Sequence, residues 1–180
     1  MTKILVVTGS VRPGSVNEKV VPVVVDMLTA RNAEVTVADL KVLNLPFFDD
    51  PITPSAPEFA PTDERVVKWT GMVADADGVV LVTPEYNHTM SPVQLNAVDW
   101  IGKEWQDKPV ALVGYGWRSG ASQAHATARE ALAVNLKAKV GDYQANLFFM
   151  KELNPDGSVA DQAAVEKKVG AALDELLAHS

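Results

Sequence analysis

From end to end, the chain alternates short apolar runs with longer segments of helical periodicity. Ile4–Val7, Gly78–Thr83 and Lys108–Tyr115 carry β-branched and aliphatic residues in stretches too short for a buried helix. Such runs read as strands covered on both faces, as in a parallel sheet. Helices fall between and after them, at about Asn17–Ala30, Thr62–Ala74, Pro92–Gly102, Ala121–Ala138 and Asp161–Ala178. In the last, Val165, Val169, Ala172, Leu173, Leu176 and Leu177 recur at helical spacing. Pro22 falls inside the first helix and removes one of its backbone hydrogen bonds. Glu34–Asp39 alternates in polarity and adds a strand near a sheet edge, and Ala145–Phe149 adds a fifth. Units of this kind place helices on both faces of a single sheet.

No repeat, linker or shift of composition divides the 180 residues, so 1–180 read as one domain. The pattern predicts an α/β three-layer sandwich around a five-stranded parallel sheet in the flavodoxin-like order. Ligands bind outside the carboxyl ends of the strands in that arrangement. A net charge of −7 argues against nucleic acid and anionic membranes as partners. No apolar run is long enough to span a bilayer, and Met1–Lys3 leads straight into a strand, so a cytoplasmic location is expected. With no cysteine in the chain, redox chemistry must come from a bound cofactor.

Three loops follow the first, third and fourth strands and would share one edge of the sheet. The first, Gly9-Ser10-Val11-Arg12-Pro13-Gly14-Ser15-Val16-Asn17, joins a strand to a helix N-terminus with small, hydroxylated and cationic residues, which is the chemistry of a phosphate site. Neither the P-loop pattern nor G-x-G-x-x-G is present, and one arginine among many N–H and O–H donors suits a terminal phosphate better than a pyrophosphate bridge. The second loop is Thr83–Ser91 and the third Gly116-Trp117-Arg118-Ser119-Gly120. A mononucleotide seated by its phosphate would place its ring between them. A flavin gives each loop a role: glycine-rich N–H groups at the pyrimidine edge, Tyr86 against apolar or ribityl parts, and Asn87 as both donor and acceptor.

Taken together, Gly9-Ser10-x-Arg12-x-x-Ser15-x-Asn17, Pro84-Glu85-Tyr86-Asn87-His88 and Asn96-Ala97-x-Asp99-Trp100 resemble the NAD(P)H-dependent FMN reductases, which include quinone, chromate and azo-dye reductases. The resemblance implies non-covalent FMN, NADPH or NADH as electron donor by a ping-pong route, a small-molecule acceptor, and a homodimer or homotetramer. It further implies that Ser10, Arg12, Ser15 and Asn17 hold the FMN phosphate. Pro84, Glu85, Tyr86 and Asn87 would line the ring and ribityl, and Gly116, Ser119 and Gly120 the pyrimidine side. Leu95 stands where many members have lysine, and Trp117-Arg118 replaces a smaller glycine-rich pair, which narrows the substrate cleft.

No catalytic side chain is required, because hydride transfer belongs to the cofactor. No metal is expected, since His88, His125 and His179 lack ligands at metal spacing. Asp99 and Trp100 read as structural, Trp69 and Met72 as helix core, and Trp105 as an interface residue. The Leu43–Pro61 loop, with Phe47, Phe48 and Phe59, reads as functional or interfacial. Two other functions compete with the reductase: an electron carrier without a small-substrate site, and a flavin-binding sensor without turnover.

Overall fold

The computed structural model describes residues 1–180. Its sheet is wholly parallel, in the order β2-β1-β3-β4-β5, with β1 at Lys3–Thr8, β2 at Glu34–Ala38, β3 at Gly78–Pro84, β4 at Pro109–Gly116 and β5 at Lys139–Phe148. The helices are α1 (Asn17–Thr29), α2 (Leu40–Leu43), α3 (Glu64–Asp75), α4 (Pro92–Asp99), α5 (Ser122–Arg129) and α6 (Gln162–His179). This is the flavodoxin-like fold. Every residue of β3 is buried, as its unbroken apolar run requires at the centre of a doubly covered sheet. One face packs Leu5, Val7, Val79, Leu81 and Leu112 against Trp69 and Val73 of α3, and the other packs Ile4, Val6, Val80 and Val82 against Val24 of α1 and Val169 of α6.

Register decides where the loops emerge. Thr8 pairs with Val82 and Pro84 with Tyr115, so β1, β3 and β4 end level at one edge. Between β1 and β3 the order reverses, which opens the crevice that doubly wound folds use for ligands.

Several boundaries differ from the sequence expectation. β5 begins at Lys139, earlier than Ala145, because its first half is a polar edge segment without an apolar run. The register slips between Val110 and Leu112, and the N–H groups of Asp142 and Tyr143 donate instead to the Glu175 carboxylate at 3.0 and 2.9 Å. The expected helix Ala121–Ala138 stops being α-helical after Arg129 and widens into a π-helical segment over Glu130–Asn135. That turn keeps Leu132 in the core while Lys137, at φ 60°, swings the chain into β5. α1 runs unbroken through Pro22.

Trp105 is fully buried and its Nε1 donates to the Val98 carbonyl at 3.4 Å, so the interface reading of this residue is corrected to core. The Leu43–Pro61 loop is likewise less exposed than expected. Phe48 meets Trp100 edge-on at 4.9 Å, Phe59 lies 6.5 Å from the same ring, and only Phe47 stands out, at 77% exposure.

Candidate functional site

The loop Gly9–Val16 leaves β1 under tight constraint. A Cβ on Gly9 would collide with the Val82 carbonyl oxygen and the Pro84 ring, so this glycine serves the packing of strand ends as well as the loop. Gly14, at φ 64°, supplies the left-handed turn that a side chain would strain. Asn17, 3% exposed at the start of α1, accepts from the Gly9 N–H at 2.6 Å and donates through Nδ2 to Tyr115 Oη at 2.7 Å. It therefore fastens the loop to β4. The Gly14 N–H donates to Glu18 Oε1 at 3.2 Å, so the loop already attracts an anionic oxygen at the helix N-terminus. The guanidinium of Arg12 stands exposed, with no carboxylate paired to it.

The second loop is tied to the first. Tyr86 Oη and Ser10 Oγ lie 3.2 Å apart, and Ser10 Oγ also accepts from the Arg12 N–H at 3.3 Å. Tyr86 and Thr89 exchange backbone hydrogen bonds around Asn87 and His88, both at positive φ, which closes a tight turn. Glu85 joins that turn to α5: its Oε2 accepts from the N–H groups of Gln123 and Ala124 at 3.1 and 3.3 Å and so caps the helix. Its Oε1 lies 3.7 Å from His88 Nδ1. In the third loop the Ser119 hydroxyl is buried without a partner, and Gly120, at φ 59°, lies against the Phe148 ring.

Together these loops enclose a cleft of about 250 Å³. Of the residues expected at a cofactor, Ser10, Arg12, Ser15, Pro84, Glu85, Tyr86 and Gly116 line it. Asn17 borders an adjoining groove that shares Ser10, Arg12 and Ser15, while Asn87, Ser119 and Gly120 lie outside both linings. The cleft also contains Tyr115, Trp117, Phe149 and Pro155, of which only Trp117 was singled out in the sequence. The missing signal was topological: β5 ends at this same edge, so the residues after Phe148 belong with the other three loops. A cleft of about 310 Å³ at the opposite edge, bordered by Lys139, Glu175 and His179, lies beyond reach of those loops.

Burial pushes the Tyr115 phenol well above its ordinary range, against the lowering effect of the Asn17 hydrogen bond. The phenol therefore keeps its proton, and because Oη accepts from Asn17 that proton is free to be donated. Behind the third loop, His125 is completely buried on α5, and burial lowers its pKa to about 4. A free guanidinium, hydroxyls and loop amides at one end, with Tyr86 and Tyr115 at the other, are the donor set for a phosphate monoester carrying a flat heterocycle. FMN fits that description.

Comparison with known proteins agrees with the geometry. Residues 2–148 match the family model described as NADPH-dependent FMN reductase. The chain is 34% identical over 159 residues to NAD(P)H-dependent FMN reductase ntnL from a Nectria species, a match covering 83% of this chain and 76% of the relative. It is 32% identical over 117 residues to 2-hydroxy-1,4-benzoquinone reductase from a Burkholderia species, covering 62% of this chain and 59% of that protein. Among solved structures it resembles FerB, a flavoenzyme NAD(P)H:(acceptor) oxidoreductase from Paracoccus denitrificans, with a TM-score of 0.78, 25% identity and 99% of both chains covered.

Proposed function

The chain belongs to the NADPH-dependent FMN reductase family, and from that membership we propose that it is an FMN-dependent NAD(P)H oxidoreductase whose acceptors are flavins, quinones or similar small molecules. The observation that carries the reading is the cleft at the β1/β3 crevice, where an unpaired arginine, Ser10 and Ser15 share one lining with Tyr86 and Tyr115. FMN held in this cleft would supply the two-electron redox chemistry between a nicotinamide donor and the acceptor.

The protein's part is to hold and orient. Arg12 would hold the phosphate by a charge-assisted contact, Ser10 and Ser15 would donate from their hydroxyls, and the N-terminus of α1 would add its partial positive charge. Pro84, Glu85, Tyr86 and Asn87 flank the ring and ribityl, with Glu85 acting through its cap on α5 and Tyr86 through its link to Ser10. Gly116 would bound the pyrimidine side from within the cleft, and Ser119 and Gly120, outside its lining, would shape the same loop. Tyr115 Oη presents a proton from a group that stays neutral. No side chain serves as acid, base or nucleophile.

The protein acts in the cytoplasm as one domain and as a homodimer or homotetramer. No helix is long and apolar enough to cross a membrane. Phe47, 77% exposed, lines a groove with Val11, Leu45 and Val93, and Leu95 on α4 is 37% exposed, which supports a face covered by another copy.

Purified protein incubated with FMN and desalted is expected to retain the cofactor, and mixing with NADPH or NADH should bleach the flavin within the mixing experiment. Retention without bleaching would make it an electron carrier, and absence of retention would remove the reading altogether.

A further inference from the structure

The chain has five arginines, and three are engaged: Arg31 with Asp174, Arg65 with Asp63, and Arg129 with the Val140 and Gly141 carbonyls, Asp142 lying 3.9 Å from it. The two left without an acidic partner, Arg12 and Arg118, stand on loops that flank the same cleft. Beside the cleft, an exposed guanidinium without a carboxylate partner is available to an anionic ligand. Arg12 is accounted for by a phosphate, whereas Arg118 is not.

The four tryptophans divide in the same way. Trp69, Trp100 and Trp105 are 1%, 4% and 0% exposed, while Trp117, adjacent to Arg118, is 62% exposed and lines the cleft. Its indole is nonetheless held in place. It stacks on Phe149 with ring centroids 4.7 Å apart and planes at 27°, Phe149 is braced edge-on by Tyr115 at 6.2 Å, and Tyr115 is bonded to buried Asn17. An exposed aromatic surface fixed in advance loses little entropy when a flat molecule stacks on it.

We propose that Trp117 and Arg118 form the acceptor subsite and select planar aromatic acceptors that carry an anionic substituent, such as sulfonated or carboxylated quinones. The inference rests on the oxidoreductase reading. Trp117 stacks the ring of the acceptor and Arg118 binds its anionic group. Both act on the acceptor and leave the nicotinamide donor unaffected.

The test uses FMN-loaded protein with menadione and with a sulfonated naphthoquinone as acceptors. Each variant is compared with wild type, so that differences in the quinones' own reactivity cancel. Trp117→Ala should raise KM for both quinones by about fivefold to tenfold, and Trp117→Phe should recover most of the loss. Arg118→Gln should raise KM for the sulfonated quinone alone, by about twofold to fivefold, and added salt should erase that difference. KM for NADPH and NADH should not move. Equilibrium dialysis with naphthalene sulfonate reads the same subsite without turnover, and both variants should bind it more weakly. Unchanged dialysis and unchanged quinone KM values would overturn the proposal. So would an Arg118→Gln effect on NADPH but not NADH, which would assign the arginine to the donor's extra phosphate. A failure of the oxidoreductase reading looks different: wild type would neither retain FMN nor reduce any acceptor, and dialysis alone would then decide for or against the subsite.

Discussion

The loop Gly9–Val16 and the segment Asn96–Trp100 both carry the family resemblance, and in the fold they use their side-chain polar atoms differently. Asn96 accepts from the Phe48 N–H at 2.9 Å and donates to the Pro46 carbonyl at 2.8 Å, and Trp100 Nε1 donates to the same carbonyl at 2.7 Å. Those donors and acceptors are committed to pinning one loop across the core. In the first loop the Arg12 guanidinium remains without any partner, while the Ser10 hydroxyl beside it in the cleft is bonded only within the loops, to Tyr86 and the Arg12 N–H. Buried groups that are engaged stabilise the fold, whereas unengaged donors that converge on a cleft await a ligand.

The sharpest way to break this contrast is to mutate the committed side. Trp100→Ala should lower unfolding free energy by about 3–5 kcal/mol, as for other buried tryptophans, with Trp100→Phe intermediate. Denaturant titration reads both. FMN affinity of the folded protein should hold, and a selective loss of FMN affinity at full stability would move Trp100 to the ligand side.

His125 is a buried polar group that fits neither class, because both ring nitrogens lack a partner. Its folded pKa of about 4 lies below the ordinary 6.5, so the unfolded chain binds the proton more readily. This group's contribution is therefore complete above pH 6.5 and is lost as pH falls toward 4. The total is about 3 kcal/mol. Stability of His125→Gln should be flatter with pH across that window than wild type, and parallel pH profiles would contradict the assignment.

On the unengaged side, Arg12→Ala should weaken FMN binding by about tenfold to a hundredfold, equivalent to roughly 1.5–3 kcal/mol for a charge-assisted contact, with the melting temperature of the FMN-free protein unchanged. The smallest effect is expected at Ala121, which holds φ 77° without being glycine. Ala121→Gly should stabilise the FMN-free protein by about 1 kcal/mol by relieving left-handed strain. A loss of stability would mean that the Ala121 methyl matters more in the core than its backbone does.

Much of the fold was legible because β1, β3 and β4 are apolar runs bounded by turn residues, and their alternation with helices admits few topologies. The first half of β5 was not, because Lys139–Gln144 is polar and its bulge depends on Glu175, more than thirty residues away. The three loops were likewise readable, since each follows a strand. What local spacing does not encode is which donors already have partners. Asn17 has the look of a phosphate ligand until its amide is seen bonded to Gly9 and Tyr115. Phe149 and Pro155 line the cleft only because β5 ends beside β4.

If the unengaged donors of the first loop are a phosphate cradle, FMN and riboflavin, which share the ring and differ in the phosphate, must bind unequally. Titration of flavin-free wild type with each should give a dissociation constant for FMN at least about tenfold lower than for riboflavin, the lower bound for a single charge-assisted phosphate contact. Equal affinity for the two flavins would contradict the assignment of Gly9–Asn17.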